Sequence, residues 1–426
     1  MKQLTEEHLG STEAKSIDFS KITPAEYIKL KSKDSNSEEW LKAKSLGEEA
    51  IRNGKVAAFT PAGGQGSRLG FNAPKGMYPV TPVLKNSLFQ LFAEKIKAVS
   101  KKYDANIPWY IMTSLENHDD TVEFFMTNDF FGFNAEDIHF FSQYTMPAVD
   151  FEGKILMSNK SNIARTPDGH GGSFKALVKS GSIADMEKRG IEIVSFFQID
   201  NSLVRCIDPY FIGFHIKQQS QLSSKACIKT DPKEKVGLLV SKSGRISTIE
   251  YSDFPDEMAA KRNAEGGLLY STGSIGIHLF DRHFISQLGE DNEDFQLPFH
   301  KAVKKIKTID AEGNAISLDA PNGVKFEMFG FDALDYTSNA MIFETLRENE
   351  FSPLKNATGK DSPETVLNLQ LQLFSSWVKA AGGKIELDEN GLPPFSFEIR
   401  PSYAENIDDF IAKYDGSPIT EGTVLA

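Results

Sequence analysis

In the stretch Val56-Ala-Ala-Phe-Thr-Pro-Ala-Gly-Gly-Gln-Gly-Ser-Arg-Leu-Gly-Phe-Asn-Ala-Pro-Lys-Gly76, glycines 63, 64, 66 and 70 surround Arg68 and lead to Lys75. Glycine lets a backbone take positive φ and approach a ligand with no Cβ in the way. Successive exposed N–H groups then make a concavity suited to phosphate oxygens. Arg68 offers a fork of donors to a phosphate and Lys75 a compact charge. The apolar run 56–60 before the loop reads as a buried strand, so the chemistry implied is polyphosphate binding just past a strand end.

Two nucleotide motifs do not fit. A dinucleotide fingerprint needs G-x-G-x-x-G opening directly into a helix, with an acidic residue about 20 positions on. Here Leu69 occupies the third glycine position, Pro74 and Pro79 delay any helix, and Glu94 is misplaced. A Walker A loop ends in Gly-Lys-Ser/Thr, whereas this chain has Lys75-Gly76. Ala-Gly-Gly-Gln-Gly-Ser-Arg-Leu-Gly followed by Pro-Lys-Gly-Met instead resembles the signature of the eukaryotic-type UDP-sugar pyrophosphorylases, above all their UDP-N-acetylglucosamine branch. The resemblance runs over residues 50–380 and implies a UTP-dependent sugar-1-phosphate uridylyltransferase. Such chemistry asks mainly for positioning and for cations near the developing charge, so no nucleophilic side chain is needed.

The other candidate residues follow from this resemblance. Phe196-Phe-Gln-Ile-Asp-Asn201 matches the family's Val-Asp-Asn and assigns Asp200 to Mg²⁺, with Asn201 beside the substrate. Mg²⁺ usually needs only one or two protein carboxylates. Gln143 matches the position that reads uracil; an amide can pair with an imide edge as donor and acceptor. Pro167-Asp-Gly-His-Gly-Gly172 resembles the family's Pro-Asp-Gly-Asn-Gly-Gly, placing Gly169 and His170 at the sugar or phosphate, His170 as a contact and not a proton shuttle. Gly237 and Glu250 match sugar-hydroxyl contacts, and Phe329 and Phe331 match the walls of the sugar pocket. Lys355, in Glu350-Phe-Ser-Pro-Leu-Lys-Asn356, matches a phosphate-binding lysine and joins Arg68 and Lys75 as a catalytic cation. Gly63, Gly64, Gln65 and Gly66 cradle the phosphates. Departures cluster at the sugar: His170 stands where the family has Asn, and Ser271 and Ser274 replace two further asparagines, with Ser274 kept as a substrate contact. Because the long C-terminal match is to the UDP-N-acetylglucosamine branch, N-acetylglucosamine-1-phosphate is the expected acceptor; because the acetyl-facing residues differ, glucose-1-phosphate or a broad hexose range is the alternative. UDP-sugar and pyrophosphate are the expected products.

These residues must be held by a large scaffold. A chain of 426 residues with 32 Phe has ample core material and exceeds one ordinary domain. Its net charge of −12 argues against a nucleic-acid or anionic-membrane partner. The two cysteines, Cys206 and Cys227, read as apolar fillers in a reducing cytosol. No apolar run approaches the roughly 20 residues of a membrane span. A monomer or weak homo-oligomer is expected. Residues 1–50 read as a polar helical region, 51–380 as the catalytic domain and 381–426 as a small accessory region. Strands are expected at 56–60, 108–113, 138–143 and 191–199, alternating with helices at 88–103, 118–128, 173–179, 183–189 and from Asp208-Pro209. Residues 87–90 form a capping-box sequence. Beyond 222, strands are expected at 222–229, 236–242, 245–251 and 324–331, and helices at 295–306, 340–347 and 365–381. The alternation describes an α/β fold, a doubly wound, mostly parallel Rossmann-like sheet of the GT-A-like nucleotidyltransferase kind.

Overall fold

The computed structural model describes residues 17–30, 37–290, 295–316 and 319–426. Strand β2 (Val56–Pro61) has almost no exposed side chain, and its residues alternate between two cores. Val56 and Ala58 pack into one apolar cluster, Ala57 and Phe59 into the other. Strand β3 (Trp109–Thr113) repeats the pattern with Trp109 and Ile111 against Tyr110 and Met112, as does β7 (Ile193–Phe197) with Ile193 and Phe197 against Val194 and Phe196. A period of two with both faces apolar is the signature of a strand covered on each side. Helices Glu38–Arg52, Leu88–Tyr103 and Pro209–Lys217 cover the first face. Helices Ser173–Lys179, Ser182–Lys188 and Arg282–Gly289 cover the second.

In the central sheet, β7, β2, β3 and β4 (Ile138–Ser142) run side by side in that order and are all parallel. Next to β7 the sheet turns mixed. The long strand β11 (Thr272–Asp281) enters antiparallel and pairs with β7, with β8 (Leu222–Ile228) and, at Gly273, with β9 (Leu238–Lys242). β10 (Arg245–Ile249) and β1 (Ile22–Pro24) flank β9, and β14 (Ala340–Glu344) lies parallel to β8. Short hairpins, β5 (Thr145–Pro147) with β6 (Arg165–Pro167) and β12 (His300–Lys304) with β13 (Gly323–Glu327), stand outside the sheet.

Helices Glu38–Arg52 and Pro209–Lys217 cross at two glycines. A Cβ on Gly47 would lie 1.9 Å from the Pro209 carbonyl oxygen, and one on Gly213 would lie 1.6 Å from that of Ala43. The C-terminal segment builds its own core from Phe397, Ile399 and Phe410 against Phe374 and Trp377 of the Pro363–Ala380 helix. β15 (Glu398–Ile399) pairs with β16 (Val424–Leu425) there.

Two expected helices are strands. Residues 340–347 are rich in helix formers, yet Met341, Ile342 and Phe343 are buried in β14 beside β8. Residues 295–306 contribute β12, paired with β13. In the expected N-terminal helical region, residues 22–24 instead form the edge strand β1, while helix Glu38–Arg52 is present. Residues 1–16 and 31–36 of that expected helical region lie outside the described residues. The capping box at 87–90 is half made: Ser87 Oγ accepts from the Gln90 N–H at 3.1 Å, but the Gln90 side chain donates to Glu94.

Candidate active site

A parallel sheet leaves a crevice outside its carboxyl ends where the chain reverses its direction of winding. From β2 the chain proceeds to β3 and β4 on one side, then returns to place β7 on the other. The crevice is therefore between the ends of β2 and β7. The glycine loop follows β2 and Asp200 follows β7, so the topology itself brings them together.

The loop is fixed from several directions. The Lys75 N–H donates to the Gly64 carbonyl at 3.0 Å and the Gly66 N–H to that of Ala73 at 2.9 Å, while Gln65 bridges Pro74. A Cβ on Gly66 would meet Phe71 at 2.8 Å. Beneath the loop, the buried Asn117 donates to the Ala62 carbonyl at 2.9 Å and accepts from the Ser114 N–H at 2.7 Å, tying the end of β2 to the end of β3. Gly63 faces Gln143: a Cβ there would lie 2.8 Å from Gln143 Oε1. Gln143 is held by its own N–H to the Thr113 carbonyl at 2.8 Å.

Lys75 and Asp200 are each only 8% exposed, with Nζ and Oδ2 3.6 Å apart. Burying an ion needs a compensating charge, and each supplies the other's. The segment that bears Lys355 is tied to the same strand end. The Leu354 N–H donates to the Asp200 carbonyl at 2.8 Å. The Asn201 amide donates to the Glu350 carbonyl at 2.7 Å and accepts from the Ser352 N–H at 2.8 Å. Residues 200–201 and 350–355 are thus one stitched unit. Arg68 is different: it is exposed, in the short Ser67–Leu69 turn, whereas Lys75 and Asp200 are buried.

A second group assembles beside the first. Gly169 has φ +85°, and a Cβ there would lie 2.3 Å from the Met328 carbonyl oxygen. Only glycine fits that conformation and that approach. The Gly171 N–H donates to Met328 and the Met328 N–H to Asp168, which clamps the 168–171 loop to the segment bearing Phe329 and Phe331. His170 stacks on Phe329 with ring centres 5.5 Å apart, and its Nδ1 accepts from the Gly330 N–H at 3.1 Å. Burial pushes its pKa down to about 4. With Nδ1 accepting, the neutral ring carries its proton on Nε2. Phe329 also contacts His300, whose Nε2 lies 2.7 Å from Asp332 Oδ2. That hydrogen bond holds the His300 imidazolium above the usual histidine range.

Gly237, Glu250 and Ser274 meet at the ends of β9, β10 and β11. The Ser274 N–H donates to the Gly237 carbonyl at 2.8 Å, and a Cβ on Gly237 would lie 3.5 Å from Glu250 Oε1. Burial, then the charges of Asp253 and Asp332, push the Glu250 carboxyl upward, while His300 pulls it down.

Sequence reasoning missed Asn117, Asp168, His300 and Asp332. Asn117 and His300 are single polar residues whose partners lie far along the chain, so no local pattern marks them. Asp168 lay inside a quoted motif. It is 3% exposed, its Oδ1 is buried without a partner, and burial pushes its pKa to about 7.

The family model described as UTP–glucose-1-phosphate uridylyltransferase matches residues 1–394. The chain is 39% identical over 377 residues to a mouse UDP-N-acetylhexosamine pyrophosphorylase-like protein 1, covering 83% of this chain and 74% of that one. It is 37% identical over 423 residues to a Saccharomyces cerevisiae UDP-N-acetylglucosamine pyrophosphorylase, covering 96% of this chain and 87% of that one. A crystal structure of the Trypanosoma brucei uridine diphosphate N-acetylglucosamine pyrophosphorylase superposes with a TM-score of 0.81 at 27% identity, over 96% of this chain and 88% of that one. The chain therefore belongs to the UTP–glucose-1-phosphate uridylyltransferase family.

Proposed function

We propose that the chain joins UTP and N-acetylglucosamine-1-phosphate to give UDP-N-acetylglucosamine and pyrophosphate, as a GT-A-like, cytosolic, Mg²⁺-dependent enzyme. A phosphate oxygen of the sugar attacks the α-phosphorus in line as the bond to pyrophosphate breaks. The amides of residues 63–66 hold the triphosphate. Lys75 and Lys355 offset the charge that builds on the α-phosphate and the leaving group, and Arg68 meets the outer phosphates. Preorganised charges in a dry crevice act strongly, because they need no rearrangement during the reaction. Gln143 reads the uracil edge, and Gly237, Glu250, His170 and Phe329 shape the sugar side.

Asp200 fits a Mg²⁺ ligand. It is a mostly buried carboxylate whose Lys75 partner lies 3.6 Å away, beyond direct hydrogen-bond contact, and this cation needs few protein ligands. When bound, the ion would add positive charge at the phosphates.

The observation that carries the reading is the meeting of Lys75, Asp200 and the 350–355 segment at one strand end. Pyrophosphate release with UTP and each sugar phosphate tests it. Turnover on N-acetylglucosamine-1-phosphate well above that on glucose-1-phosphate is expected. Equal turnover would favour the broad-range reading, which the short Ser274 side chain and the histidine at 170 support. UDP-sugar binding without pyrophosphate release would indicate a sensor and not an enzyme.

A further inference from the structure

Along residues 202–205, just after the Asp200–Asn201 turn, lies a cavity of about 390 Å³ that the proposed reaction does not use. Its volume is within the range of small-molecule sites. Trp40, Tyr210, Phe374 and Trp377 supply aromatic walls, and Leu203 and Leu373 close the apolar lining. The polar groups at its wall are mostly spent. Lys225 takes up Asp208 and Glu350 at 2.7 and 2.6 Å, and Lys95 donates to the Ser202 and Val204 carbonyls at 2.7 and 2.9 Å. Arg205 is not spent. Its Nε is buried without a partner, and its Nη1 stands 3.5 Å from Asp208. A buried donor left unpaired costs free energy that a ligand can recover. Glu405 also faces the cavity; burial pushes its carboxyl up to about 8, so near neutral pH it is mainly a donor.

We propose that this cavity binds a small monoanion with a flat apolar body, its charged group on Arg205 and its body between the aromatic walls, and that occupancy alters turnover at the neighbouring site. Aromatic walls accept a flat ring system, and a guanidinium with a free edge accepts a carboxylate or sulfonate. The link to catalysis is short, and it rests on the role proposed above for Asp200. The Arg205 backbone N–H donates to Glu350 Oε2 at 3.4 Å, the Glu350 carbonyl accepts from the Asn201 amide at 2.7 Å, and Asn201 adjoins Asp200. A ligand that favours one arrangement of residues 202–205 therefore biases the position of Asp200.

The probe is 1-anilinonaphthalene-8-sulfonate, titrated into the full chain with excitation of tryptophan. Two of the three tryptophans line the cavity, so energy transfer reports its occupancy. Saturable one-to-one binding is expected. It should weaken at least about tenfold for the uncharged N-phenyl-1-naphthylamine and again in Arg205→Met. Ser376→Trp blocks the exposed mouth without entering the core, so it should abolish binding even if Arg205→Met folds poorly. UTP turnover of the wild type, but not of Ser376→Trp, should change as the probe saturates. Equal binding of the uncharged probe, insensitivity to both substitutions, or turnover unmoved at saturation would overturn the proposal. Because binding is read without turnover, failure of the proposed reaction would leave the cavity's own test intact.

Discussion

Asn201→Ala should uncouple the two halves of the crevice. Asn201 is 2% exposed, and its amide satisfies the Glu350 carbonyl and the Ser352 N–H at 2.7 and 2.8 Å. Removing it orphans one acceptor and one donor on residues that are 4% and 0% exposed. Each orphaned group costs about 1–3 kcal/mol, so the loss is about 2–6 kcal/mol. Asn201→Asp keeps the acceptor for Ser352 but places an oxygen against the Glu350 carbonyl, so it should also destabilise. The midpoint of urea unfolding, at unchanged slope, measures this. Under conditions where both variants remain folded, turnover should still fall, because the 350–355 segment that bears Lys355 is no longer tied to Asp200. Loss of less than about 0.5 kcal/mol in both variants would refute the accounting, since that is the size of an ordinary surface substitution. Full turnover in a destabilised variant would refute the link between the two segments.

Other expectations follow from single contacts. Gly169→Ala meets the Met328 carbonyl at 2.3 Å from a backbone at φ +85°; strain of about 1–3 kcal/mol plus the clash should shift the 168–171 loop and raise KM for the sugar phosphate more than for UTP. Unchanged KM for both substrates would contradict that placement. Gly213→Ala drives a methyl into the Ala43 carbonyl, so the helices must separate and thermal stability should fall sharply; an unshifted melting temperature would show the crossing to be looser than described. For Asp168, the folded pKa of about 7 exceeds the unfolded value of about 3.9. The folded state then binds more protons between these values, so this group's contribution is fully present below about pH 4 and is lost as pH rises through about 7. Asp168→Asn should therefore gain stability relative to wild type as pH rises from 4 to 8, measured by denaturant unfolding; a difference independent of pH would contradict the burial of this carboxyl.

Much of the parallel half of the sheet was legible, and the reason is physical. Strands buried on both faces, such as 193–197 and 56–61, must be continuously apolar, and glycines next to cations have few uses other than an anion. The helix starts at Ser87 and Asp208 also announced themselves, since each side chain accepts from a backbone N–H of its own first turn. What failed did so through long-range pairing. Residues 340–344 favour a helix locally, but β8 offers a parallel edge and buries Met341, Ile342 and Phe343. Strand β11 contains Gly273 and Gly276, which weaken a strand signal, yet it pairs with three neighbours in the sheet. In the candidate site, Lys75, Asp200 and Gln143 could be named from motifs. Asn117 could not, because its bond to Ala62 spans 55 residues, nor could His300, whose partner is 32 residues away.

The most direct test is the rate of pyrophosphate release from UTP and N-acetylglucosamine-1-phosphate by Lys75→Met and Lys355→Met, each checked by circular dichroism to be folded. Loss of one preorganised charge from a dry site costs about 10²–10³ in turnover, and each variant should lose about that much. Folded variants that both turn over at the wild-type rate would contradict the claim that these lysines and Asp200 surround the reacting phosphate.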